Sequence, residues 1–362
     1  KSNQMNAVSV FRKVAIYCAL TCTYLFLMVI LVGITTAQTE RPVISLDNIA
    51  NLSQVGELTG FTKPANSLVF TQDSRFLIGG GEDTSLRVWD VASQTQIQEL
   101  FPHNSYIKSV AISPNGRRLV TASWDRQVII YDVAEDGFIS QLNTLSGYMA
   151  VIQQVEFVTD EKIVFTVGDG SLILADINNP DDQKVVSLES LHSYDLAVTS
   201  DMIAVSVGFP NMAIWIFDAD LENPRQLLEL KSVLDSIVFA PVTDEATRFL
   251  VTGGEGDGIG MRDIPIAVDV SLSELRTNGR ITRDLSVWHT DFAFSVDGDI
   301  LFTSTYDGNI FLYDISDPTN DRFLSPILET NSGVVDSVMS PDGRLFATGH
   351  EDGRIKLWGI NE

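Results

Sequence analysis

SVAISPNGRRLVTASWDRQVIIYD, residues Ser109 to Asp132, reads as three short strands in a row. Ser109–Ser113 is an apolar run with β-branched residues. Pro114-Asn115-Gly116 is turn chemistry: proline presets φ, and glycine accepts the positive φ that ends such a turn. Leu119–Ser123 is a second strand, Trp124-Asp125-Arg126 a tight connection, and Val128–Tyr131 a third strand. A fragment of this size cannot bury both faces of its sheet alone, so copies beside it are required.

The copies are present. A large residue followed by Asp closes a strand at Trp89-Asp90, Tyr131-Asp132, Phe217-Asp218 and Tyr313-Asp314. Weaker forms stand at Ala175-Asp176, Arg262-Asp263 and Trp358-Gly359. Successive steps are 42, 44, 42, 45, 51 and 45 residues. Six residues before the large residue stand Asp83, Asp125, Asp169, Asn211, Asp307 and Asp352, with Gly256 in the remaining copy. The turn before the second strand recurs as Ser113-Pro114-Asn115-Gly116, Ser295-Val296-Asp297-Gly298 and Ser340-Pro341-Asp342-Gly343.

These three landmarks resemble the WD-repeat β-propellers, in a bacterial extracytoplasmic form with an N-terminal anchor or signal peptide. The resemblance covers about Gln54 to Glu362. It implies an all-β, seven-bladed propeller, and it says little about function because this fold hosts many roles. The expected organisation is an N-terminal membrane segment (1–37), a polar linker (38–53) and the propeller (54–362). The blades are expected at about 54–61 with 331–362, then 62–104, 105–147, 148–191, 192–230, 231–275 and 276–330. Gln54–Phe61 reads as a fourth, outermost strand that the last copy lacks; it would close the ring and remove an exposed edge.

Val14 to Val32 is nineteen residues without a charge. As a helix it would span about 28 Å, close to the hydrocarbon thickness of a bilayer. Arg12 and Lys13 precede it, so a retained helix places the N-terminus in the cytoplasm and the propeller outside. A cleaved signal peptide ending near Ala37 is the competing expectation. Cys18 and Cys22 both fall in this segment, leaving the rest of the chain without cysteine or disulfide.

The resemblance also implies a hydrogen-bond chain in one blade: Asp125 holding His103, His103 holding Thr121 or Ser123, and the hydroxyl meeting Tyr131 in place of Trp. Elsewhere Phe61 and Tyr148 occupy the histidine position, and the chain is expected to be broken. The turn residues Asp83, Asp125, Asp169, Asp307 and Asp352 are expected to bond backbone N–H groups in their turns.

No nucleophile-elbow, phosphate-loop or paired-histidine metalloprotease motif occurs. His103, His192, His289 and His350 lack metal-ligand spacing. Gly253–Gly260, GGEGDGIG, reads as a flexible connection, with weak calcium binding as the rival reading. The expectation is a protein with no catalytic residues, cofactor or metal. Residues 1–37 hold three basic residues and no acid, so the remainder carries 21 basic against 48 acidic residues. That field repels nucleic acid and anionic headgroups.

Candidate contacts with a protein partner are therefore sought on loops. The residue before each turn Asp should face solvent on one rim: Glu82, Trp124, Gly168, Pro210, Tyr306 and Glu351. Trp124 and Tyr306 are anchor types. Tyr106 is a further candidate, as are Arg276, Arg280 and Arg283 in the longest interval between copies, with Trp288 behind them. The functional expectation is a membrane-held docking scaffold or accessory subunit of an envelope complex. The alternative is an extracytoplasmic enzyme or ligand-binding propeller using its central channel.

Overall fold

The computed structural model describes residues 41–361 except 189–192, 210–211, 230–235, 240–246, 253–258, 265–276, 282–288 and 318–321. Residues 42–362 form one unit, and 1–41 another. The expectations for 14–32, Cys18, Cys22, the cleavage site, Arg276, Arg283, Trp288, His192 and most of the glycine-rich run lie outside the described residues. No helix among the described residues is long and apolar enough to cross a membrane.

The unit is an all-β propeller. Among the described residues, its strands form seven four-stranded antiparallel sheets, six of which are meanders of consecutive strands. The innermost strands are Ala65–Phe70, Ile107–Ile112, Ile152–Phe157, Ser193–Val198, Ile237–Phe239, His289–Phe294 and Val334–Met339. Each lies against the next, and the last lies against the first, so the sheets close a ring.

Packing between sheets explains the sequence of the middle strands. Both faces of each sheet press on a neighbour, so Phe76–Gly81, Met202–Val207 and Ile300–Thr305 are buried at every position. They read as continuous small and apolar runs rather than alternating ones. The apolar clusters accordingly span pairs of sheets. Val120, Val128 and Ile130 of the second sheet pack with Ile152, Phe157 and Phe165 of the third. Phe302 of the sixth stacks on Phe346 of the seventh, with centroids 4.5 Å apart. Gly80 shows how tight the approach is: a Cβ there would lie 2.4 Å from Ile107 Cγ2.

The turns joining first and second strands follow from their side chains. Ser113 Oγ accepts from Arg118 N (2.9 Å) and donates to Asn115 Oδ1 (2.9 Å), while Gly116 N donates to Ser113 O with Gly116 at φ 72°. Ser340, Asp342 and Gly343 repeat the arrangement.

The seventh sheet is completed by the strand Leu52–Leu58, antiparallel to Ile355–Ile360 with Leu52 opposite Ile360 and Leu58 opposite Ile355. The pairing is that expected for the N-terminal piece, but the strand begins two residues before Gln54 and ends before Phe61. Packed structure also starts earlier. Ile44, Ile49 and Leu52 are buried in the cluster between the sixth and seventh sheets, and Ile44 N donates to Gly343 O (2.8 Å). The second half of the expected polar linker is therefore part of the folded unit.

Candidate docking face and central channel

The connection from second to third strand and the loop entering each sheet lie on the same end of the ring. They are tied by a repeated backbone bond: Glu82 N to Pro64 O, Trp124 N to Tyr106 O, Gly168 N to Val151 O, and Glu351 N to Gly333 O. This end is called the upper face below.

The turn aspartates stiffen that face. Asp125 Oδ1 accepts from Gln127 N (3.1 Å) and Oδ2 from Asn104 N (3.0 Å). Asp169 accepts from Ser171 N, Asp307 from Thr305 Oγ1 and Asp352 from Arg354 N. Asp83 accepts from Thr62 N and from both N and Oγ of Ser85. Burial works to raise the Asp83 carboxyl, but these bonds and the Arg87 charge outweigh it and leave the group below its usual range.

His103 Nδ1 meets Asp125 Oδ2 at 2.9 Å and Nε2 meets Thr121 Oγ1 at 2.7 Å. Burial holds this imidazole below its ordinary pKa despite the Asp125 charge. Ser123 stands outside the chain: its hydroxyl accepts from Asp125 N. The Tyr131 hydroxyl is buried beside Thr121, whose hydroxyl offsets part of the burial that raises the phenol, but the two do not meet in full hydrogen-bond geometry. A second chain stands where none was expected. Trp358 Nε1 donates to Thr348 Oγ1 (3.0 Å), which meets His350 Nε2 (2.9 Å), while His350 Nδ1 meets Ser332 O (3.2 Å). The sequence pattern sought a histidine in the entering loop; His350 reaches the same hydroxyl from the end of its own strand.

Upon this frame the exposed groups are unevenly spread. Ten large apolar side chains among the described residues are exposed, and five of them lie on the upper face: Phe101, Trp124, Met149, Phe209 and Tyr306. Trp124 is 40% exposed yet held in place. Its ring lies 5.2 Å from that of Tyr106, and its Nε1 donates to Gln153 Oε1 (3.1 Å). Lys63 Nζ sits 5.5 Å from the Tyr106 centroid and Lys108 Nζ 5.9 Å from that of Trp124. Tyr306 hydrogen-bonds Glu351 of the next sheet, the main cause of its raised pKa. Glu351 is exposed and Glu82 half-buried. Arg280 departs from expectation: it lies in the strand Thr277–Ile281, opposite Gly260, and not in a loop.

The ring encloses a channel of about 840 Å³, lined by all seven innermost strands and by Trp124 at its upper end. Sequence reasoning missed what lines it. The side chain at the third position of most innermost strands bonds a backbone N–H of the following sheet. Ser67 Oγ accepts from Val110 N, Ser109 Oγ from Val155 N, Asp195 from Ile237 N (2.6 Å), Asp291 from Ser337 N (2.7 Å), and Asp336 from Leu68 N (2.8 Å). A strand bulge immediately before each of these residues shifts the register of its strand, and the residue itself stays paired in its own ladder. The signal was available: a polar residue stands sixteen positions before the turn residue at Ser67, Ser109, Gln153, Asp195, Asp291 and Asp336.

Glu156 also lines the channel, and its carboxylate ties no two sheets together among the described bonds. Burial pushes Glu156 up to about 8 and Asp195 up to about 7, with the neighbouring carboxylates adding to both. Asp291 and Asp336 are raised by the same burial. Lys108, facing them, is lowered by burial against the opposing pull of Glu82 and Asp336. Among the described residues, no three His, Cys, Asp or Glu side chains converge on a metal position.

A family model described as "WD domain, G-beta repeat" matches residues 52–90, 94–132, 282–314 and 324–359. Three of these segments begin in or one residue before the outermost strand of one sheet and end in the third strand of the next. That offset is why the first strand of the propeller belongs to its last sheet. No curated protein matches the sequence. A solved structure titled "Structure of U3-55K" is similar over 86% of this chain and 99% of that chain, with a TM-score of 0.69 and 14% identity. At that identity the likeness is one of fold.

Proposed function

We propose that this protein is a non-catalytic docking scaffold whose upper face holds a protein partner. The observation that carries the reading is the rigidly held Tyr106–Trp124 pair on that face, with Phe101, Met149, Phe209 and Tyr306 exposed on loops of the same face. Interfaces are anchored by such aromatics when their rotamers are fixed before contact. WD-repeat propellers are generally protein-interaction scaffolds, which agrees with the four repeat matches. Glu82, Glu351 and Tyr306 supply polar contacts beside the anchors; Arg276, Arg280 and Arg283 are proposed as a secondary contact.

The proposal extends to location. Residues 14–32 tether the propeller at the outer face of a membrane, with Arg12 and Lys13 on the cytoplasmic side. Support comes from the uncharged run and the basic residues before it. Alkaline carbonate extraction and protease protection of native membranes test this part: release into the soluble fraction contradicts it.

The docking claim is tested by mild-detergent purification of wild-type protein and a Trp124→Ala, Tyr306→Ala variant. The expected result is a stoichiometric partner with the wild type, at least about tenfold less with the variant, and unchanged melting, because truncating exposed anchors costs binding rather than folding. Equal recovery of the partner contradicts the reading. The rival reading, a small ligand in the central channel, has the enclosed volume in its favour; it predicts that Tyr306→Ala alone, outside the channel wall, leaves function intact.

A further inference from the structure

The acidic residues at the centre of the upper face indicate what kind of segment the docking face takes. Trp124 belongs both to the exposed rim and to the channel wall, so a segment seated on the rim has a side chain directly over the channel mouth. Below the mouth are Asp195, Asp291 and Asp336, each third in its innermost strand counted from the upper face, and Glu156 deeper. Glu82 and Glu351 stand on the rim. Lys108 is the cation in this wall among the described residues. The molecule already places one ammonium group there, since Lys108 Nζ lies over the Trp124 ring.

We propose, resting on the docking reading above, that the partner segment carries an arginine or lysine flanked by apolar residues, and that this basic side chain enters the channel mouth beside Trp124 toward Glu156, Asp195, Asp291 and Asp336. The apolar flanks rest on the exposed rim, and the cation replaces the protons that crowded, half-buried carboxylates otherwise retain. Three of the four carboxylates already hold backbone N–H groups, so the site keeps its shape without the ligand. Binding of a cation among carboxylates with raised pKa values releases protons, so affinity rises with pH between 6 and 8. The charged groups facing the entering side chain are Lys108, Glu82, Glu156, Asp195, Asp291 and Asp336.

The probe is the blocked peptide acetyl-Gly-Leu-Arg-Leu-Gly-amide, with the matched peptide carrying Glu in place of Arg, titrated calorimetrically into the full chain. Neither end of the probe titrates. The expected result is saturable binding of the Arg peptide, about tenfold or more tighter than the Glu peptide, as one charge-assisted contact provides. Glu156→Gln, which breaks no inter-sheet bond, weakens it severalfold, Lys108→Ala tightens it, and lowering the pH from 8 to 6 weakens it. Preference for the Glu peptide, weakening by Lys108→Ala, or no saturable binding up to about 10 mM, the affinity limit of a weak single contact, overturns the inference. So does spermidine displacing the peptide as well as the peptide displaces itself, which would assign the channel to a free polyamine. If Trp124→Ala weakens Arg-peptide binding while Glu156→Gln and Lys108→Ala leave it unchanged, docking stands and the cation fails. If Trp124→Ala and Tyr306→Ala together change nothing, the docking reading itself fails.

Discussion

The residue after each turn aspartate takes a left-handed backbone: Gly170, Gly308 and Gly353 do so without a side chain, while Thr84 has φ 70° and Arg126 φ 71°. A β-branched residue is poorly suited to that region, which costs an L-residue roughly 1–2 kcal/mol. Thr84→Gly should therefore stabilise the propeller by about 0.5–1 kcal/mol after the entropy cost of glycine, seen as a higher Tm. A lower Tm would show that the Thr84 side chain makes up for its backbone. Channel carboxylates set a second residue-scale expectation. Glu156 and Asp195 titrate higher in the folded chain than the usual carboxylate range of an unfolded one. The folded state thus holds protons that the unfolded state releases, and stability falls as pH rises through about 7 and 8. His103 and His350 are lowered by burial, and their contribution is lost only as pH falls below about 6.5. Between pH 6.5 and 8.5 the carboxylates decide, so thermal melting should rise as pH falls, and Glu156→Gln should flatten that slope. A slope of the opposite sign contradicts the assignment. Turn aspartates were legible in the sequence because they bond backbone two residues away. The channel carboxylates were not, because their partners lie on the next sheet and Ser or Asp serves equally.

At the scale of elements, the closing strand Leu52–Leu58 buries Leu52 and Leu58 and is pinned at its edges by Arg354–Glu57 (3.3 Å) and Asn361–Ser53 (2.8 Å). Deleting 52–58 removes two buried leucines and a full ladder, a loss on the order of 5 kcal/mol or more, and bares the edge of Ile355–Ile360. The truncated protein should melt far lower and aggregate, whereas removing a lower-face loop should cost little. Wild-type melting of the truncation would refute the closure account. The pairing could be read in advance because the last repeat stops at Trp358, one strand short. The burial of Ile44 and Ile49 could not, because it depends on the gap between the sixth and seventh sheets rather than on local pattern. His350 was overlooked for a similar reason: an imidazole beside Thr348 is a requirement of space, met here from a different sequence position than in the blade of His103.

For the whole molecule, repetition decides the architecture and the non-repeating residues decide the use. The net charge of −24 describes the average surface. The upper face departs from it, with Lys63 and Lys108 beside Tyr106 and Trp124, Glu82 close to Lys108, and Tyr306 bonded to Glu351. Trp124 and Tyr306 could be picked out from the turn register alone; their pairing with Tyr106 and Glu351 emerges only when separate loops meet on one end of the ring. The most direct test of the docking claim replaces Tyr306 with a photoreactive phenylalanine and, separately, does the same at Phe138, which is 48% exposed on the opposite face. Irradiated in native membranes, the Tyr306 position should give a covalent adduct with one defined protein and the Phe138 position none. An adduct from Phe138 alone, or from neither position, would contradict the account.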